Sequence, residues 1–442
     1  MFKLAFLLIG PASFRSHWYV VPVAGALLVA VSLASALGML TVLDSILTSL
    51  LGLGFALYGL TSLLSKVAAH GLRGQTHFLL VPVACFLFGL AIGVASPFYS
   101  ERTLSWLFAI LFVLDGVNRI VPAVVSRFPA WRHLVFFAVA EFCLAAMLLC
   151  DWPLPQGRNV DFCIALFIGL SGWLLIRLGI LLHALEDEAA MLLLPIFGKR
   201  GWYEHAPVLI LDEDDVETRD TPIRIYVWTP VGSANIQSHV PILDRYLAAI
   251  DPDGKISTGH SALEMGSDLY ISHNPSEEIA RSSNNFLAAL SAGPENHIAG
   301  FFQPSYDEEV RQWCPANFRI EIKNISVRRL RAFWVGYKQD STYNVANRNC
   351  STVVAAALDA CVEGALATHR PWRRLLRLMI NPNLWVAALV RSRADAATWT
   401  PGLVLDYAKP LAKLVDGASA AQVVTLSGPV SQAVTVADAR AS

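Results

Sequence analysis

The sequence predicts two fold classes in series: an all-α bundle of six transmembrane helices built as three hairpin repeats, then a small α+β domain. Three observations carry this. Six apolar runs, at 18–38, 43–64, 78–97, 104–125, 133–150 and 162–184, each approach the ~20 residues that cross a hydrocarbon core as a helix. A run of six acids and one arginine at 212–220 (DEDDVETRD) then reads as a solvated connector. Beyond it, residues 223–228 (IRIYVW) and 318–325 (FRIEIKNI) alternate with the period of β-strands.

Composition agrees. The 442 residues are 55% hydrophobic and 16% charged, and the mean hydropathy of +0.48 is too high for a wholly soluble chain. A net charge of −1 gives no electrostatic reason to bind nucleic acid, and no such partner is expected. Seven cysteines show neither CxxC pairs nor a disulfide-like framework, so no metal and no cofactor is expected either.

In chain order, Phe2–Ile9 is a short apolar run closed by Gly10-Pro11 and reads as an interfacial lead-in. The spans repeat in pairs: Gly59, Gly116 and Gly172 follow one another at spacings of 57 and 56 residues. Each glycine permits close helix contact within a hairpin. VVPVAGALL (20–28) and LVPVACFLF (80–88) echo one another more weakly. This pattern over residues 18–190 resembles the membrane family named for the acid-resistance protein HdeD, which implies six spans in three hairpins and no established chemistry. Lysines and arginines concentrate in the loops on one side. The positive-inside rule therefore places both termini, and with them the C-terminal domain, in the cytoplasm of a bacterial inner membrane or its equivalent. Asp115, Arg119, Glu141 and Arg177 lie within spans, where a mutual salt-bridge network is favoured over a proton route.

The domain layout follows: the membrane half at 1–190, a linker at 191–220, the α+β domain at 221–365, a basic-aromatic helical extension at 366–415 and a mobile tail at 416–442. Within the α+β domain, strands are expected at 223–228, 256–265, 269–272 and 318–325, with helices at 241–250, 307–313 and 327–337. A further helix opens at Cys350. The extension, with six arginines between 369 and 393, lies either on anionic headgroups or against the domain.

Chemistry gathers at 343–358 (YNVANRNCSTVVAAAL). A polar, turn-prone run ends at Cys350, and small apolar residues follow. A thiol at a helix N-terminus meets unpaired N–H groups and the positive dipole end, which favour thiolate. His260, in an apolar strand, is the candidate base. His273 beyond the next turn is the candidate third member, with Asn274 and Glu264 behind it. The Cys350 N–H, with Tyr343 and Asn349 as secondary donors, is the candidate oxyanion site.

The order of Gly259-His260-Ser261-Ala262-Leu263, a polar group on the next strand, and Tyr343-Asn344 through Asn349-Cys350-Ser351-Thr352 resembles the circularly permuted papain-like superfamily (NlpC/P60 and lecithin:retinol-acyltransferase-like proteins). The resemblance implies a papain-like α+β fold at 221–365 and acyl chemistry through a thioester, with Cys350 as nucleophile, His260 as base and His273 as third member. The expected function is a membrane-anchored thiol hydrolase, such as a cysteine peptidase or amidase, or an acyltransferase. Its partners would be the lipid bilayer and a peptide or acyl-lipid substrate, and a homo-oligomer is allowed. One rival is a stress-response or scaffold protein whose C-terminal domain only binds a ligand. Another is a proton-linked transporter using Asp115, Glu141 and Arg177.

Overall fold

A computed structural model describes residues 1–15, 18–39, 49–50, 52–63, 77–95, 101–126, 131–150, 152, 158–184, 221–229, 249–250, 256–257, 259–276, 292–396, 398–417 and 423–426. The molecule is mostly helical, with a small antiparallel sheet in its C-terminal part. It divides into two compact units, one of Pro11–Val124 with Trp131–Asp187, the other of Met1–Gly10, Val125–Ala130 and Glu188–Ser442.

In the first unit the helices are α2 (Pro11–Arg15), α3 (Val20–Ala36), α4 (Gly52–Leu63), α5 (His77–Ala95), α6 (Glu101–Ser126), α7 (Trp131–Cys150) and α8 (Arg158–Ala184). Each of the six apolar runs overlaps one of α3–α8. Among the described residues, two helical stretches are long and apolar enough to cross a membrane, Trp131–Cys150 and Arg158–Ile180. Helices α3 and α8 cross where a Cβ on Gly25 would lie 2.5 Å from the Gly172 carbonyl oxygen, so only glycine permits that approach. Ser32 Oγ donates to the Ala165 carbonyl at 2.7 Å across the same contact. Arg119 sits between Asp115 (2.7 Å) and Glu141 (2.9 Å), a salt-bridge network of the expected kind. Arg177 makes no ion pair among the described residues.

The second unit opens with α1 (Phe2–Ile9), and this corrects the sequence reading of that segment as a membrane lead-in. Leu4–Ile9 are all buried, and the Leu7 and Leu8 carbonyls accept from the N–H groups of Gly364 (2.9 Å) and Leu366 (2.8 Å). Gly10 has φ of +79°, and a Cβ there would lie 2.8 Å from Gly364 Cα. Apolar periodicity alone does not distinguish a segment that meets lipid from one that meets protein.

The sheet has order β5-β4-β1-β8-β9, with β1 (Ile223–Trp228), β4 (His260–Met265), β5 (Leu269–Ile271), β8 (Phe318–Ile322) and β9 (Val423–Thr425), every pair antiparallel. Two small ribbons lie apart from it, β2 (Ala249–Ile250) with β3 (Ile256–Ser257), and β6 (His273–Pro275) with β7 (Gly300–Phe302). Ala249 and Ile250 are therefore strand where a helix over 241–250 was expected; 241–248 lie outside the described residues. The expected strand at 256–265 is interrupted at Gly259, whose φ of +67° is a left-handed conformation.

Six helices follow β7 among the described residues of the unit. These are α9 (Tyr306–Gln312), α10 (Val327–Tyr337), α11 (Cys350–Val362), α12 (Pro371–Ile380) and α13 (Pro382–Ala396), followed by α14 (Pro401–Val415). Ile223, Ile225 and Val227 of β1 are fully buried, and α14, which packs on β1, β4 and β8, is buried along most of its length. The last helix of the extension is thus core. Tyr226 and Trp228, on the alternate face of β1, pack with Ala262, Tyr270, Ala316 and Tyr306. The tail, expected as mobile from 416, contributes β9 at the sheet edge; residues 427–442 lie outside the described set.

Candidate functional site

The site is assembled by the end of one strand and the start of one helix. In β4, His260 pairs with Trp228, so both side chains take the aromatic face of the sheet, while the next residue, Ser261, faces α11 and donates from Oγ to Ser351 Oγ at 3.1 Å. Asn349 caps α11. Its Oδ1 accepts from the Thr352 N–H (2.8 Å), and its own N–H donates to Thr352 Oγ1 (2.7 Å), a reciprocal capping box. Asn349 Nδ2 donates to the carbonyls of Val345 (2.6 Å) and Trp399 (3.2 Å). Both ends of this amide serve as a structural anchor, which removes Asn349 from the expected oxyanion donors. What the anchor does is hold Cys350 as the first helical residue.

The turn leading to Cys350 is equally fixed. Asn344 Oδ1 accepts from the N–H groups of Ala346 (2.9 Å) and Asn347 (3.3 Å). The Arg348 guanidinium donates to the carbonyls of Thr342 (2.7 Å), Tyr337 (3.2 Å) and Asp340, and lies 4.4 Å over the Tyr337 ring.

The side chains of His260 and Cys350 are both buried and close enough that each shifts the other's titration. On the far side of the imidazole, Nε2 lies 3.0 Å from Glu309 Oε1 and 2.9 Å from Ser272 Oγ. With Nε2 so occupied, Nδ1 is the nitrogen left for the sulfur. Glu309, in the first turn of α9, also accepts from Tyr270 OH, from Ser272 Oγ (3.0 Å) and from Asn274 Nδ2 (3.2 Å). The line is therefore Cys350, His260, Glu309.

No protein-family model, curated protein or solved structure matches the chain. The site therefore stands on its own geometry and charge.

Burial pulls the His260 imidazole down, but the Glu309 carboxylate, the Cys350 sulfur and its hydrogen bonds to both outweigh that and raise it to about 10. Burial pushes the Cys350 thiol up. The His260 charge and hydrogen bond, the Ser351 hydroxyl and the Ser261 backbone together bring it below the ordinary thiol value. Glu309, despite its burial, is held at about 2 by His260, Tyr270 and Ser272. These shifts favour a thiolate–imidazolium pair backed by a carboxylate. By contrast the Cys361 thiol, one helix length away and equally buried, is pushed up well beyond the usual range, chiefly by burial and then by Asp359.

Of the residues expected from sequence, His260 and Cys350 come together. His273 does not join them. Its Nε2 meets the Ser341 carbonyl at 3.1 Å and its Nδ1 the Tyr337 hydroxyl at 3.0 Å. The register explains why: β5 stops pairing with β4 at Ile271, and His273 begins a separate ribbon opposite Phe302. Had the hairpin continued, His273 would have faced Ser261 across the ladder and taken the opposite sheet face from His260. Tyr343 goes with His273, ring centroids 5.1 Å apart. Glu264 accepts from Tyr226 OH (2.9 Å) and pairs with Arg224 (3.4 Å) at the far end of β4. Asn274 touches the site one step out, through Ser272 and Glu309.

Sequence reasoning missed Glu309, Ser272 and Tyr270. Glu309 stands in a run, Asp307-Glu308-Glu309, that resembles an ordinary acidic first turn capped by Ser305. The alternation Tyr270, Ser272 was the available signal, since two hydroxyls along an apolar strand need a buried acceptor. Among the described residues no group of three or more His, Cys, Asp or Glu is placed to hold a metal ion.

Proposed function

We propose that the chain is a membrane-anchored thiol hydrolase or acyltransferase working through a Cys350 thioester on a peptide, amide or acyl-lipid substrate near the bilayer. The reading rests on one observation: the buried His260 ring lies between the Cys350 sulfur, which shifts its titration, and the buried Glu309 carboxylate, 3.0 Å from Nε2. In this reading the Cys350 thiolate attacks the substrate carbonyl carbon, and charge builds on its oxygen. The Cys350 N–H, at the first turn of α11, has no partner among the described residues and is the donor for that oxygen. His260, an imidazolium, gives its proton to the leaving amine or alkoxide as the carbon–heteroatom bond breaks, which leaves the thioester. Water or a second acceptor then attacks, losing its proton to His260, and the thiolate departs. Glu309 holds the ring in place and stabilises its charge.

The same proposal carries the coarser organisation. The apolar helices of residues 18–190 are the anchor, as six spans in the manner of the HdeD-like family, with the catalytic unit and both termini in the cytoplasm. The site order resembles that of papain-like proteins, with Glu309 in the third position.

An acyl-ketone probe directed at thiols, applied to the full chain in detergent, tests the chemistry. The wild-type protein is expected to be labelled at Cys350, Cys350→Ala not at all, and His260→Ala at least ~10²-fold more slowly. Equal labelling of wild type and His260→Ala, or a Cys350 that titrates as an ordinary thiol, would leave the ligand-binding scaffold as the better account.

A further inference from the structure

Helix α12 separates into two faces. Pro371, Leu375 and Leu378 are buried within the unit, beneath α1 and α13. The outer face carries Arg373, Leu376, Arg377 and Ile380, at spacings of three, one and three that place them on one side of a helix. Leu376 is 66% exposed and Ile380 80%, the latter the most exposed large apolar side chain in the protein's described residues. Arg370, just before the helix, is also exposed. None of these three arginines makes an ion pair among the described residues, and no acidic residue occurs from 364 to 394. Basic groups alternating with apolar ones, with no acid nearby, match a surface that is anionic above and hydrocarbon beneath.

We propose that this outer face of α12 docks on an anionic bilayer surface, with the arginines at phosphate level and Leu376 and Ile380 in the acyl boundary. Charge complementarity and the tether decide this occupant over a soluble protein. The same chain carries helices that are long and apolar enough to span a bilayer, so the surface is always within reach. The proposal rests on the membrane-anchored part of the reading above and is independent of the thiol chemistry. Its consequence is positional: α12 follows α11 closely in the chain, so docking sets how the unit carrying Cys350 is presented to substrates at the membrane.

Hydrogen exchange of residues 371–380, measured by mass spectrometry on the full chain in lipid nanodiscs, tests this. One chain per disc is compared in zwitterionic phosphatidylcholine and in discs with phosphatidylserine added. Slower exchange with the anionic lipid is expected, and Arg373→Glu/Arg377→Glu should abolish the difference. At roughly fivefold per arginine, losing both attractions makes the double variant exchange about 25-fold faster. Leu376 and Ile380 do no folding work on the inner face, so Leu376→Ser/Ile380→Ser is a second probe that keeps the fold and is expected to weaken docking. Exchange indifferent to lipid charge overturns the proposal. So does protection that appears only with two chains per disc, which would assign the face to a second copy. Recovery of the chain in discs reports the anchor separately, and probe labelling at Cys350 reports the thiol chemistry.

Discussion

His260 and His273 lie thirteen residues apart, one in β4 of the sheet and the other in the separate β6–β7 ribbon, and both are buried. Burial pulls both imidazoles down, yet His260 is raised to about 10 and His273 is lowered to about 4. The difference lies in what each ring faces. At His273 the Ser341 carbonyl can only accept, so Nε2 carries the hydrogen and donates. A neutral ring then accepts at Nδ1 from the Tyr337 hydroxyl, and every group is satisfied without charge. Burial, together with Arg348 and His260, outweighs the Ser341 carbonyl and the weaker pull of Asp340, which favour a second proton. At His260 the partners are a carboxylate and a thiol, so a ring carrying two N–H groups satisfies both. Two buried histidines of one domain are thus shifted in opposite directions chiefly by the groups they face.

The sharpest way to break the comparison is Glu309→Gln, which keeps an acceptor oxygen but removes the charge. His260 should then fall toward its ordinary value, and the Cys350 thiol should rise. Probe labelling near neutral pH is expected to drop by about 10²–10⁴-fold and to recover as the pH approaches that of a free thiol. An unchanged rate would mean that the carboxylate does not set the charge of the pair.

Acid separates the two histidines next. The folded pKa of His273 lies below its unfolded value, so the unfolded chain binds more protons between them. Its contribution is full above about pH 6.5 and is lost as the pH falls toward 4. The loss is on the order of 3 kcal/mol at the low end. Glu309, also depressed, contributes above about pH 4.5 and is lost only as the pH nears 2. His260 behaves oppositely, since its raised pKa gives stability that is complete below about 6.5 and lost as the pH rises through 10. Thermal unfolding followed from pH 7 to 4 should show a falling midpoint that His273→Gln flattens. Cys350 labelling by the folded protein should retain its pH profile in that variant, because His273 does not touch the thiol. A profile that shifts with His273→Gln would return this residue to the relay.

These contrasts also mark what the sequence could disclose. The strand at 223–228 was legible because alternation is imposed by a sheet with two differently filled faces, and α11 because a polar, turn-prone run gives way to small apolar residues at Cys350. Cys350 and His260 were legible because a thiol at a helix end and an imidazole in an apolar strand each demand partners. Glu309 was not, since nothing local distinguishes an acid turned inward from one in water; only the hydroxyls of Tyr270 and Ser272, far off in sequence, make its burial tolerable. His273 misled because the break after Ile271, where pairing passes from β4 to β7, is decided by tertiary packing. The N-terminal helix misled for the same reason, as its apolar side chains suit lipid and the Gly364–Leu366 backbone equally well.

The smallest expected effect is the most discriminating. Ser272 Oγ sits 2.9 Å from His260 Nε2 and donates to Glu309 Oε1 at 3.0 Å, so it shares the ring's partner without carrying charge. In Ser272→Ala the carboxylate keeps Tyr270 and Asn274 as donors, and Nε2 keeps Glu309. The loss is then the two bonds of one hydroxyl, with both charged partners keeping each other, on the order of 1.5 kcal/mol or roughly tenfold in labelling rate. If charge at Glu309 is what divides His260 from His273, Ser272→Ala must fall far short of Glu309→Gln. Equal losses in the two variants would shift the cause from the carboxylate's charge to the orientation of the ring.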